Sequence, residues 1–242
     1  MKNTKKIVVT GGSGKFFTVF RRINKNNNYL YPSKKELNIL STSSIKKYLN
    51  KYKPKIIIHA AALSRPMELH NNNIIESINK NIIGTANIVK VSSELKIKII
   101  YFSTVLVYCG KVGNYKEGDT LLPVNNYAWS KLGGEACVQM YKNSLILRVG
   151  MSEKPFIHKQ AFNDVIVNYL YHDEFARILP KLLRYKGIIN IGSFKTETVY
   201  EFAKRSRANI RKISSKKLQK AYPSNAHVNT DKLKAILNSY KN

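Results

Sequence analysis

Five short runs recur along the first 150 residues: Lys6–Thr10, Tyr29–Tyr31, Lys55–His59, Ile99–Phe102 and Leu145–Val149. Most of their residues are aliphatic or aromatic, with no polar alternation, so they read as strands buried on both faces. Between them lie stretches of helical spacing. Phe16–Ile23 is one, and Ser43–Tyr52 is a second, with Ile45, Tyr48, Leu49 and Tyr52 on one face; Ile74–Leu95 and Tyr127–Lys142 follow. Strand and helix in strict alternation predict an α/β fold built on a doubly wound parallel sheet. Such sheets bind ligands at the carboxyl ends of their strands.

Chemistry-bearing residues do fall at those ends. Gly11-Gly12-Ser13-Gly14 follows the first strand at once and opens the first helix, an arrangement that turns backbone N–H groups and a helix N-terminus toward a phosphate. This makes the sheet Rossmann-type in expectation. The usual third glycine is missing, and Phe17 stands there. After the second strand come Ser33, Lys34 and Lys35 where an acid often holds a ribose hydroxyl; these cations suit a 2′-phosphate or are a solvated pair. Ala60-Ala61-Ala62 ends the third strand, where small side chains admit a flat ligand or allow close packing, and His59 before them reads as a core histidine.

The fourth strand ends at Ser103-Thr104, and the helix after it opens with Tyr127-Ala128-Trp129-Ser130-Lys131. Tyrosine and lysine four apart on a helix share a face, and the ammonium favours the ionised phenol. The spacing alone is weak: with 15 Tyr and 33 Lys in 242 residues, chance supplies roughly two such pairs. Tyr31/Lys35 and Tyr200/Lys204 share it, but Pro32 interrupts the first, and no strand-end hydroxyl precedes the second.

Composition narrows the class. A 242-residue chain that is 43% hydrophobic buries a real core. Cys109 and Cys137 form no metal or disulfide spacing, and no apolar run spans a membrane, so a cytoplasmic protein without a metal is expected. The formal charge of +28, with basic residues dense from Arg205 to Lys220, is the one argument for a nucleic-acid partner; no binding motif accompanies it.

Taken together, Thr10–Gly14, His59–Ala62, Asn81–Thr85, Phe102–Thr104 with Val107-Tyr108, and Tyr127–Lys131 resemble the extended short-chain dehydrogenases/reductases, specifically the sugar-nucleotide branch and its 4-dehydrorhamnose reductases. The resemblance is strong over residues 5 to 150 and looser beyond. It implies a dinucleotide-binding domain over 1–150 and a reduced substrate-binding portion over 151–242. It also implies an NAD(P)-dependent reductase of a nucleotide-linked 4-keto-6-deoxy sugar, with NADP(H) preferred and NAD(H) the open alternative. By this resemblance Thr104, Tyr127 and Lys131 are catalytic: Thr104 bonds the carbonyl, Tyr127 delivers the proton, and Lys131 holds the nicotinamide ribose. Gly11, Ser13, Gly14, Lys15, Phe16, Ser33, Lys34, Asn38, Ile39, Ala60, Ala61, Ala62 and Asn81 would line the cofactor. Ser64, Arg65, Thr104 and Arg148 would meet the substrate. Partners are expected to be a nucleotide sugar and at most a second copy of the chain, with no nucleic acid and no membrane.

Three departures stand out. Phe17 replaces a glycine, Val105 stands where the rhamnose reductases carry aspartate, and the segment after Val149 is short. An epimerase on the same scaffold, and a non-catalytic reductase-like regulatory subunit, are the rival functions. Further on, His172–Leu183 and Thr198–Lys204 read as helices, Gly187–Gly192 as a strand, and Thr230 as the cap of a last helix.

Overall fold

The computed structural model describes residues 6–217 and 222–240. The basic residues ahead of Lys6, and Lys220, lie outside them. In chain order the elements are β1 (Ile7–Thr10), α1 (Lys15–Ile23), β2 (Tyr29–Leu30), α2 (Thr42–Tyr52) and β3 (Ile56–His59). Next come α3 (Leu69–Asn72), α4 (Ile74–Ser77), a π turn (Ile78–Ile83), α5 (Gly84–Glu94) and β4 (Lys98–Thr104). After a 3-10 turn (Val105–Val107) follow α6 (Asn126–Gln139), β5 (Ser144–Val149), β6 (Met151–Ser152), β7 (Gln160–Phe162), β8 (Ile166–Val167) and β9 (Leu170–Tyr171). The chain closes with α7 (His172–Leu182), β10 (Gly187–Ile191), β11 (Glu197–Thr198), α8 (Val199–Lys204), β12 (Arg211–Ile213) and α9 (Asp231–Asn238).

The expected parallel sheet is present, with six strands in the order β10-β5-β4-β3-β1-β2. Register is set by Val8 opposite Leu30, Val9 opposite Ile58 and His59 opposite Tyr101. Every residue of β4 and β5 is buried, as their unalternated apolar runs require.

By internal contacts the chain forms two compact units, each discontinuous in sequence. One comprises residues up to 103 with 125–147 and 184–188; the other comprises 104–124, 148–183 and 189 onward. The first has a core of Val8, Leu37, Ile45, Leu49, Ile57, Ile88, Ile99, Tyr101 and Ile146 among others. The second is centred on Phe156, Val165, Val167, Tyr171 and Phe202.

Two expectations need correction. The single helix read over Ile74–Leu95 is three pieces, because the backbone widens into the π turn at Ile78–Ile83. There the Asn81 carbonyl accepts from the Thr85 hydroxyl at 2.8 Å. Thr230 precedes α9 but makes no side-chain capping bond. Asn229 does that work instead, its Oδ1 accepting from the Asp231 amide at 3.0 Å.

Candidate active site

The glycine turn is built by close approach. Gly11 has φ +74°, and a Cβ there would stand 2.6 Å from the Ala61 amide nitrogen; a Cβ on Gly12 would meet the Tyr31 ring at 2.7 Å. Only glycine fits between these neighbours, so the turn presents backbone to the rim of the sheet. Ser13, Gly14 and Lys15 are exposed beside it. Phe17 does not obstruct this turn. It is 1% exposed and packs among Phe16, Phe20, Phe102 and Tyr31, with ring centroids 5.0 to 6.3 Å apart. Phe16 is buried in the same aromatic layer.

Ala60, Ala61 and Ala62 are half-buried at the end of β3. His59 is a core residue, as read from the sequence: its Nδ1 pairs with Thr10 Oγ1 at 2.7 Å and its Nε2 with Thr85 Oγ1 at 3.0 Å. Burial, with the nearby Lys131 cation, pushes it down to about 3. Asn81 is fully buried and acts as a clamp. Its Oδ1 accepts from the Leu63 amide at 2.7 Å, and its Nδ2 donates to the Leu63 carbonyl at 2.9 Å and to Ser130 Oγ at 2.8 Å. It thereby ties the loop after β3 to α6.

Helix α6 starts where Asn125 Oδ1 accepts from the Ala128 amide at 2.8 Å. It lies hard against the π turn, since a Cβ on Gly134 would be 2.5 Å from the Asn81 carbonyl oxygen and 2.6 Å from Tyr101 Oη. Tyr127, in its first turn, is half-buried, with its ring edge-on to His70 at 5.1 Å. Lys131 is 3% exposed. Its Nζ lies 4.2 Å from the Tyr101 ring centroid. Burial pushes this lysine down to about 7, and the Glu135 charge pulls the other way. Tyr101 is driven well above the usual phenol range, mainly by burial.

The remaining expected residues are placed as follows. Ser33 and Lys34 are exposed after β2. The Ser33 amide donates to Glu36 Oε2 at 2.8 Å, and Ser33 Oγ accepts from the Glu36 amide at 3.3 Å; hydrogen bonding from the Ser33 backbone and side chain lowers the Glu36 carboxyl. Asn38 and Ile39 are half-buried, and the Ile39 carbonyl accepts from Asn87 Nδ2 at 3.0 Å. Ser64 and Arg65 are exposed. Thr104 is buried and belongs to the second unit, where its Oγ1 accepts from the Leu106 amide at 3.2 Å. Arg148 lies in that unit's interior at 2% exposure, its guanidinium donating to Tyr108 Oη at 2.6 Å and to the Glu117 carbonyl at 2.9 Å.

Two side chains beside these residues escaped sequence reasoning. Ser130 links Asn81 to the Tyr127 carbonyl, to which it donates at 2.7 Å. Glu135 is fully buried, and a signal for it existed: an acid four residues past a site lysine faces the same way on the helix.

Comparison with known proteins gives the family and the fold. The family model described as the RmlD substrate binding domain matches residues 5–178. The β subunit of methionine adenosyltransferase 2 from Xenopus laevis is 32% identical over 114 residues, 47% of this chain and 34% of that protein. A GDP-6-deoxy-D-talose 4-dehydrogenase from Aggregatibacter actinomycetemcomitans is 34% identical over 152 residues, 57% of this chain and 48% of that protein. The matches therefore span about a third to a half of these curated relatives' length. The dTDP-4-dehydrorhamnose reductase of Bacillus anthracis, solved with NADP, superposes with a TM-score of 0.84 at 21% identity, covering 97% of this chain and 92% of that one. That likeness carries the fold. The family match covers well over half of the sequence, and the chain belongs to the RmlD substrate-binding-domain family, on a sugar-nucleotide reductase fold.

Proposed function

We propose that this protein is an NAD(P)H-dependent reductase of a nucleotide-linked 4-keto-6-deoxy sugar. The observation that carries the reading is Lys131: a buried lysine, one helical turn after Tyr127, that burial pushes down to about 7. The residues present suit a dinucleotide. Gly11 and Gly12 leave no room for a side chain, so backbone forms the rim of the turn, and no side chain caps the start of α1. In this reading Gly11, Ser13, Gly14 and Lys15 hold the pyrophosphate. Asn38 and Ile39 border the adenine, and Ala60 to Ala62 with Asn81 line the remainder. Ser33 and Lys34 favour NADP(H); the Glu36 carboxylate bonded to Ser33 keeps NAD(H) open.

A reduced nicotinamide supplies the hydride. Tyr127 gives its hydroxyl proton to the carbonyl oxygen as negative charge builds there, and the Lys131 ammonium lowers the cost of the phenolate left behind. Thr104 takes the second contact to that oxygen on the family resemblance alone.

A second reading has its own support. Several relatives at 26 to 32% identity are β subunits of methionine adenosyltransferase 2, so a reductase-like regulatory subunit is the alternative. One assay decides. Purified protein is mixed with NADPH and a nucleotide 4-keto-6-deoxy sugar, and nicotinamide absorbance is followed. Turnover that drops by about 10²-fold or more in Y127F supports the reductase. NADPH binding without turnover supports the subunit.

A further inference from the structure

Helix α6 carries a third ionisable group in line with its first two. Tyr127, Lys131 and Glu135 are spaced four apart and share one face. Glu135 is 0% exposed and Lys131 is 3% exposed. A carboxylate and an ammonium this deep are each costly alone and are retained where they answer one another or are hydrogen-bonded. Glu135 is fixed from the sheet: Ser103 Oγ, on β4, donates to its Oε2 at 2.5 Å. Lys131 is fixed from the same strand, with Nζ over the Tyr101 ring and its carbonyl accepting from Tyr101 Oη at 3.1 Å.

We propose that Glu135 is a positioning residue for the proton-delivery pair: anchored by Ser103, its carboxylate is the buried counter-charge that holds Lys131 as a cation on the face it shares with Tyr127. The other titratable groups around Lys131 do not supply that charge. His59, on β3, is neutral and hydrogen-bonded at both ring nitrogens to threonine hydroxyls. The Tyr101 phenol is protonated, and Cys137, also on α6, acts on Tyr101 only weakly. Tyr127 is the group being served. Among the described residues that leaves Glu135 as the carboxylate acting on Lys131.

The inference rests on the reductase reading for its purpose, but its test does not. Lysine ε-carbon NMR of the full chain without cofactor follows the titration directly. Lys131 is assigned by its loss in K131R, and Lys98, pushed down to about 8 by burial, by its loss in K98R. In E135Q, which keeps shape and removes charge, the Lys131 midpoint is expected to fall by about one pH unit; in E135D it stays within about half a unit of wild type. S103A, which releases the carboxylate from its anchor, shifts the midpoint the same way by less. If the wild type reduces the keto sugar, the basic limb of its kcat/KM profile moves with the NMR midpoint. An E135Q protein that is folded by circular dichroism and titrates like wild type overturns the proposal. Should E135Q not fold, an unmoved midpoint in S103A overturns it instead. A wild type that leaves the sugar unreduced, while E135Q still moves Lys131, defeats the reductase reading and leaves this one standing.

Discussion

The Lys131 ammonium stands 4.2 Å from the Tyr101 ring centroid, and the Tyr101 hydroxyl donates back to the Lys131 carbonyl at 3.1 Å. A desolvated cation over a ring gains about 2 kcal/mol, yet burial still wins, for the lysine is pushed down to about 7. An unfolded lysine titrates near pH 10.4, so between about 7 and 10 the unfolded chain binds the extra proton, and this group's contribution to stability rises with pH. Below about 7 it is protonated in both states and its burial cost is fully present. K131M should therefore compare best with wild type at pH 6 and lose ground steadily by pH 9.5. Urea unfolding at both pH values checks this; a pH-independent difference would remove Lys131 as the cause.

Asn81 holds Leu63 at both its amide and its carbonyl and reaches Ser130 as well. Removing it strands a buried amide and a buried carbonyl. N81A is expected to cost about 2–4 kcal/mol at roughly one per lost bond, with more for the orphaned groups. Denaturant melts give the number. Loss below about 0.5 kcal/mol would mean that the clamp is not made in solution.

Phe17 stands where a glycine would usually favour close packing, and it is absorbed into an aromatic layer with Phe16, Phe20, Phe102 and Tyr31. F17G should destabilise the fold by about 4 kcal/mol or more, from the emptied volume and a glycine placed inside α1. It should not tighten NADPH binding. Calorimetry showing tighter binding in a folded F17G protein would make Phe17 an obstruction to the cofactor.

His59 is pushed down to about 3 by burial and by Lys131. Its unfolded counterpart titrates near pH 6.5, so the folded state loses stability as pH falls from there toward 3. Its imidazole carbon-bound protons should show no titration step between pH 8 and 5. A step near 6.5 would place the ring in water.

Much of this molecule was legible in its residues. Runs such as Ile56–His59 and Leu145–Val149 lack polar alternation because both faces of those strands are covered, and that needs no partner information to read. Tyr127 and Lys131 were legible through position, on a helix after the fourth strand. The π turn was not: Ile78–Ile83 has the composition of an ordinary helix, and what widens it is contact with α6, whose Gly134 admits the Asn81 carbonyl. The clamp made by Asn81 was not legible either, because its three bonds run to residues 18 and 49 positions away. Thr230 looked like a cap because caps are read by residue type, while the bond went to its neighbour Asn229. Arg148 looked like a ligand contact, since nothing local shows that Tyr108, 40 positions earlier, takes its guanidinium.

The order of the sheet carries a consequence for how the chain can be divided. β5 is buried along its whole length, and its outer neighbour β10 is supplied by residues some 40 positions later. A chain ending near residue 150 would keep the glycine turn and the Tyr127 helix, yet leave β5 as a bare edge. A row of unpaired amides and carbonyls on an apolar strand invites pairing with the next molecule. The late strand thus acts as a selvedge: it covers the apolar length of β5, and the sheet ends on β10 instead.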